Sequence, residues 1–146
     1  MAPASADKNL QPLVVFVHSD SYDRLFQAAS MALTAAVTDR PVALVFFFWA
    51  LRALVKGQMD EPRFSGSVSD EAARIAQEKI ALSNNPPPSE MLTMARETGR
   101  VKLYACSASM QMTGLELEET AQAVDEVVGM STILRISLDG PEIIYL

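Results

Sequence analysis

The sequence has one cysteine, Cys106, and one histidine, His18. A single thiol excludes a disulfide within the chain, so redox chemistry would need a thiol from another molecule. One thiol and one imidazole also exclude a zinc knot, and no metal is expected. Any Ser/His/Asp triad would have to use His18, so none is assigned. There is no basic run. Twelve Lys and Arg lie scattered against eighteen Asp and Glu, for a net charge of −6. Nucleic acid and anionic membrane surfaces are therefore not expected partners, because both call for a basic face. No G-x-G-x-x-G follows the first apolar run and no P-loop is present, so no nucleotide or other cofactor is expected. Long hydrophobic runs are missing too. "VALVFFFWAL" is about half the length that spans a bilayer, and Arg52 ends it. "MAPASADKNLQP" carries no apolar h-region, so the expected location is cytoplasmic.

What is present is enough for a core. The 146 residues are 49% apolar and 21% charged, which fits one compact domain. Residues 1–11 read as a flexible leader and 12–146 as the domain. "LVVFVH" (13–18), "VALVFFFW" (42–49) and "VKLYA" (101–105) read as strands buried on both faces. "EIIYL" (142–146) reads as a closing strand. Between them lie helical patterns. The first is capped by Ser19, Asp20 or Ser21, with Phe26, Ala29, Leu33, Ala36 and Val37 as its apolar stripe. Others run over 50–57, over 70–83 with Asp70 as cap, and over 89–99 with Ser89 as cap. A short helix over 107–113 ends at Gly114. A longer one over 116–129 has Leu117, Ala121, Val124 and Val128 as its stripe. "STILRISL" alternates like a strand and also fits a helix capped by Ser131. Alternating strands and helices imply an α/β fold of the flavodoxin-like, three-layer kind. Its sheet would be mostly parallel, of four to five strands, with helices on both faces.

In such sheets, sites lie beyond the carboxyl ends of the strands. His18, Trp49 and Cys106 fall at or just past those ends. Cys106 stands between a strand and a helix, where free amides of a first helical turn favour a thiolate. Ser107 and Ser109 could add hydroxyl donors. The alternative is inert packing, since cysteine is among the most buried residue types. His18 is either a hydrogen-bonded strand-end residue or a base that lowers the thiol pKa. Trp49 belongs to the core or walls a pocket. Arg52 and Lys56, a turn apart, are either solvated or a clamp for an oxyanion. Met110 and Met112 are expected to pack the short helix. The polar stretch 57–69 reads either as a flap near the site or as a loop remote from it.

"ACSASMQMTG" resembles the C-x-x-S-M-x-x-x-G stretch of the DsrE/DsrF-like sulfur-relay family. "VALVFFFWAL" resembles that family's second strand, with Ala50 where a glycine usually stands. "VHSDSYDRLFQAASMALTAAV" resembles its first strand and alanine-rich helix. The resemblance implies a flavodoxin-like fold, a helix over 131–138, and a homo-oligomer, a trimer or a multiple of three. It implies that Cys106 carries sulfane sulfur as a persulfide-type adduct, in relay with a TusA-like sulfur carrier. The activity would be that of a sulfurtransferase or sulfur carrier. Two other classes stay open: a non-catalytic oligomeric binding module with an inert Cys106, and a one-cysteine peroxide or thiol redox protein.

Overall fold

The computed structural model describes residues 10–146, so the expected leader lies outside the described residues except for Leu10 and Gln11. Twelve elements follow: β1 (Leu13–Val17), α1 (Tyr22–Val37), β2 (Val42–Phe46), α2 (Phe48–Val55), α3 (Asp70–Leu82), α4 (Pro88–Glu97), β3 (Val101–Cys106), α5 (Ser107–Met112), α6 (Leu117–Ala123), β4 (Glu126–Val128), α7 (Met130–Ile136) and β5 (Glu142–Tyr145). The strands form one parallel sheet in the order β4-β3-β2-β1-β5. The α/β layering matches the expectation. The strand order differs from the 2-1-3-4-5 of flavodoxin itself.

The order decides where the helices go. From β1 to β4 each crossover steps in the same direction, and right-handed crossovers then place their helices on one face. The return from β4 to β5 runs the opposite way, so α7 lands on the other face. The buried residues divide accordingly. Leu13, Val15, Val17, Leu44, Phe46 and Leu103 point into the larger cluster under α1 and α4. Val14, Phe16, Val45, Phe47, Cys106 and Val128 point into a smaller one, where the only fully buried helical residue is Ile133 of α7. The two coverings differ in strength. α1 buries seven residues, five of them alanines that let it lie close to the sheet. α7 buries only Ile133, worth on the order of 2–3 kcal/mol of apolar transfer.

Several boundaries depart from the sequence reading. β2 ends at Phe46, because Phe48 turns the chain into α2 with φ 41. That φ is an uncommon conformation for a bulky residue. The expected helix over 116–129 splits into α6 and β4. Val124 is extended, the Asp125 amide donates to the Leu103 carbonyl at 2.9 Å, and Glu126–Val128 pair with β3. Of the expected stripe, Leu117 and Ala121 are exposed, whereas Val124 and Val128 are buried. Ser69, not Asp70, caps α3 by accepting from the Ala72 amide at 3.2 Å. Ser89 lies inside α4, which starts on Pro88, a residue suited to a first helical position. Its amide donates to Asp60 Oδ1 at 2.9 Å. The α1 stripe is wider than the expected one: Ala29 and Ala36 are buried and Phe26 and Leu33 pack against the core as expected, Leu25, Ala28, Ala32 and Ala35 are buried beside them, and Val37 is exposed. The ambiguous tail is helical, as the resemblance implied, but Gly129 rather than Ser131 precedes its first turn.

Candidate functional site

Four residues form a lateral row at the carboxyl edge of the sheet on the α7 face. Val17 pairs with Phe46 and Phe46 with Ala105, so one step further along the register brings His18, Phe47 and Cys106 level. Cys106 in turn pairs with Val128. Period-two alternation puts all four side chains on the same face. The row reads His18, Phe47, Cys106, Val128.

Cys106 is the last residue of β3 and the residue before α5. Its side chain is 3% exposed, packed in the smaller cluster. It therefore sits at the expected edge but under cover. Ser109 is also buried, and its Oγ has no hydrogen-bond partner among the described residues. The hydroxyl-to-sulfur bond expected of Ser109 is thus not formed. Ser107 is half-buried at the first position of α5. Only the amides of this six-residue helix are left to favour a sulfur anion.

His18 is not brought to Cys106. Its ring stacks on Phe47, with centroids 4.4 Å apart and planes 4° from parallel. Phe47 occupies the strand between, so two strand spacings of about 4.8 Å separate imidazole from thiol. His18 is exposed at the edge. Partial loss of water around its ring holds its pKa below the ordinary value. Phe47, which links the two, was missed by sequence reasoning; counting strand parity from Val17 and Ala105 would have found it.

Trp49 is not in the core. It is 57% exposed on α2, because the turn at Phe48 swings it out of the strand direction. Lys56 is engaged rather than free: its Nζ donates to Glu119 Oε2 at 2.9 Å. That bond is the main cause holding the Glu119 carboxyl below its ordinary pKa. Met110 is buried, but Met112 is exposed. The 57–69 stretch belongs to the opposite side of the sheet. Met59 is buried in the larger cluster, and the Tyr22 amide donates to the Arg63 carbonyl at 2.7 Å. Phe64 packs edge-on against Tyr22.

A parallel five-stranded sheet with a buried thiol at its carboxyl edge defines an α/β protein whose one cysteine lies at the edge where such folds place their sites. The chain belongs to the DsrE/DsrF-like family, whose family model matches residues 11–146. It is similar to the uncharacterized protein YrkE of Bacillus subtilis, with 24% identity over 147 residues, covering 86% of this chain and 91% of that protein. Its fold is similar to that of MTH1491, a protein of unknown function from Methanobacterium thermoautotrophicum. The TM-score is 0.54 at 16% identity, over 93% of this chain and 99% of that one. Among the described residues, no helix is long and apolar enough to cross a membrane.

Proposed function

We propose that this protein accepts and passes on sulfane sulfur through Cys106, as a cytoplasmic homo-oligomer. The observation that carries the reading is the position of the one thiol of the chain, at the strand-to-helix junction of β3 and α5, in a chain of the DsrE/DsrF-like family. The Cys106 thiolate attacks the outer sulfur of a persulfide or polysulfide. The S–S bond of the donor breaks, the donor leaves as a thiolate, and Cys106 holds the outer sulfur as a persulfide. A second thiolate, for instance on a TusA-like carrier, attacks that sulfur and frees Cys106. No oxidant is consumed. The amides of the first α5 turn support each sulfur anion. Because Cys106 is covered, the donor gains access only when α7 moves aside.

Intact mass after incubation with a persulfide or polysulfide donor tests this. The expected result is a gain of one sulfur with at least one donor, absent from Cys106→Ala. Burial of Cys106 favours one rival, a binding module of the same fold with an inert cysteine. No gain with any donor, together with slow alkylation of the thiol, would select that rival.

A further inference from the structure

A cavity of about 330 Å³ opens on the side of the sheet away from Cys106, between the start of α1 and α3. It exists because α3 is loosely seated. That helix buries no residue, and its half-buried Ala73, Ala76 and Ile80 fall at helical spacing on one side. Ile80 lines the cavity together with the rings of Tyr22, Phe26 and Phe64. Tyr22 and Phe26 have centroids 6.1 Å apart at 30°, and Tyr22 and Phe64 6.4 Å apart at 65°. The rings thus present faces in more than one direction. Among the described residues the polar lining is Asp23, Gln27, Ser83 and Asn85, with no Lys or Arg. The nearby Arg63 is already engaged by Asp20 and Glu61, at 3.6 and 3.3 Å. Negative potential reaches the cavity wall: desolvation, followed by the Asp60 carboxylate, raises the pKa of Tyr22.

We propose that this cavity binds a small organic cation of the trimethylammonium or alkylammonium class. Ring faces carry the negative side of the aromatic quadrupole and attract cations, most strongly where water is excluded. The Asp23 carboxylate adds a full charge, and the neutral amides of Gln27 and Asn85 can accept from ligand N–H or O–H groups. An anion would meet ring faces and a carboxylate with no compensating cation. The size is at the lower end of small-ligand sites and fits a molecule of a few heavy atoms. Phe64 comes from the 57–69 stretch, so a bound cation would also fasten that stretch to α1. The proposal does not depend on the chemistry of Cys106.

Choline and its uncharged isostere 3,3-dimethylbutan-1-ol separate charge recognition from simple apolar burial. Each is titrated to millimolar concentration into the full chain and followed by amide chemical shifts. The expected result is saturable shifts at residues 22–27, 64 and 80–85 with choline, and affinity for the isostere weaker by about fivefold or more. Asp23→Asn, an exposed and nearly isosteric change, should weaken choline and leave the isostere unaffected. Phe64→Ala should weaken choline by a similar factor. Equal binding of the two probes, no binding of choline, or shifts mapping elsewhere would each overturn the proposal. So would choline affinity unchanged in both variants. The amide spectrum shows whether each variant is folded, and Asp23→Asn decides if Phe64→Ala is not.

Discussion

Ser109 carries a buried hydroxyl with no hydrogen-bond partner among the described residues. Such a group costs about 1–3 kcal/mol of desolvation without return. Ser109→Ala is therefore expected to leave stability unchanged or raise it by about 1 kcal/mol, and to leave the alkylation rate of Cys106 unchanged. Urea unfolding and an iodoacetamide time course check both. This reverses the sequence expectation, in which Ser109 donates to the sulfur. His18 makes a second residue-scale test. Its pKa is lowered in the fold by desolvation, so the unfolded chain takes up the proton first as pH falls. The contribution of His18 to stability is fully present above its unfolded value of about 6.5 and is lost as pH falls from there through the lower folded value. The melting temperature of the parent should fall between neutral and mildly acidic pH, and His18→Gln should flatten that slope. Identical slopes would show that His18 feels no desolvation. The edge position of Cys106 was legible in the sequence, because the end of an apolar run and a Ser-rich helix start bracket it. The exposure of Trp49 was not, since a run of aromatics does not reveal that the backbone reverses at Phe48.

At the scale of elements, β4 depends on Asp125. β4 begins only opposite Tyr104, so the Leu103 amide has no strand partner there and donates instead to Asp125 Oδ2 at 2.7 Å. Arg96 holds the same carboxylate through Oδ1 at 3.1 Å. Asp125→Ala strands that amide and should destabilise by about 1–3 kcal/mol. An unfolding free energy within error of the parent would contradict the assignment. The acid-rich helical pattern hid this strand. Three residues are too few for a periodic signal, and Val127 and Val128 fit either element. The central strands β1 to β3 were legible because burial on both faces writes a continuous apolar run. α7 is the weakest covering of the cysteine row, with Ile133 as its one buried residue. Ile133→Ala should cost about 2–4 kcal/mol and speed the alkylation of Cys106. An unchanged rate in the destabilised variant would show that access does not pass under α7.

The whole molecule leaves apolar surface on the side that α7 covers only in part. Met130, Leu134 and Leu138 recur at i, i+4 and i+8, all exposed, with Leu134 at 60%. Tyr145 on the edge strand β5 is 70% exposed, and Ile143 is exposed as well. Apolar surface of this kind, beside an open strand edge, is what association covers. The homo-oligomer proposed here is expected to use this side, as a trimer or a multiple of three. Light scattering at micromolar concentration should show a mass well above one chain, and Leu134→Glu should reduce it. A monomer in the parent would refute it. The sequence hinted at association through its apolar content, the long 57–88 segment, the open edges of a small sheet and the resemblance, but not at this side, because no periodicity tells an outward apolar stripe from an inward one.

The most direct measurement follows the sulfur itself. The protein is loaded with polysulfide, freed of excess donor, and then exposed to a small thiol acceptor while its intact mass is recorded. The expected record is a gain of one sulfur, mapped to the peptide carrying Cys106. That gain is then lost as the acceptor takes the sulfur, and Cys106→Ala stays unmodified throughout. No gain in the parent, a gain that persists in Cys106→Ala, or a gain that the acceptor cannot remove would contradict sulfur relay through Cys106.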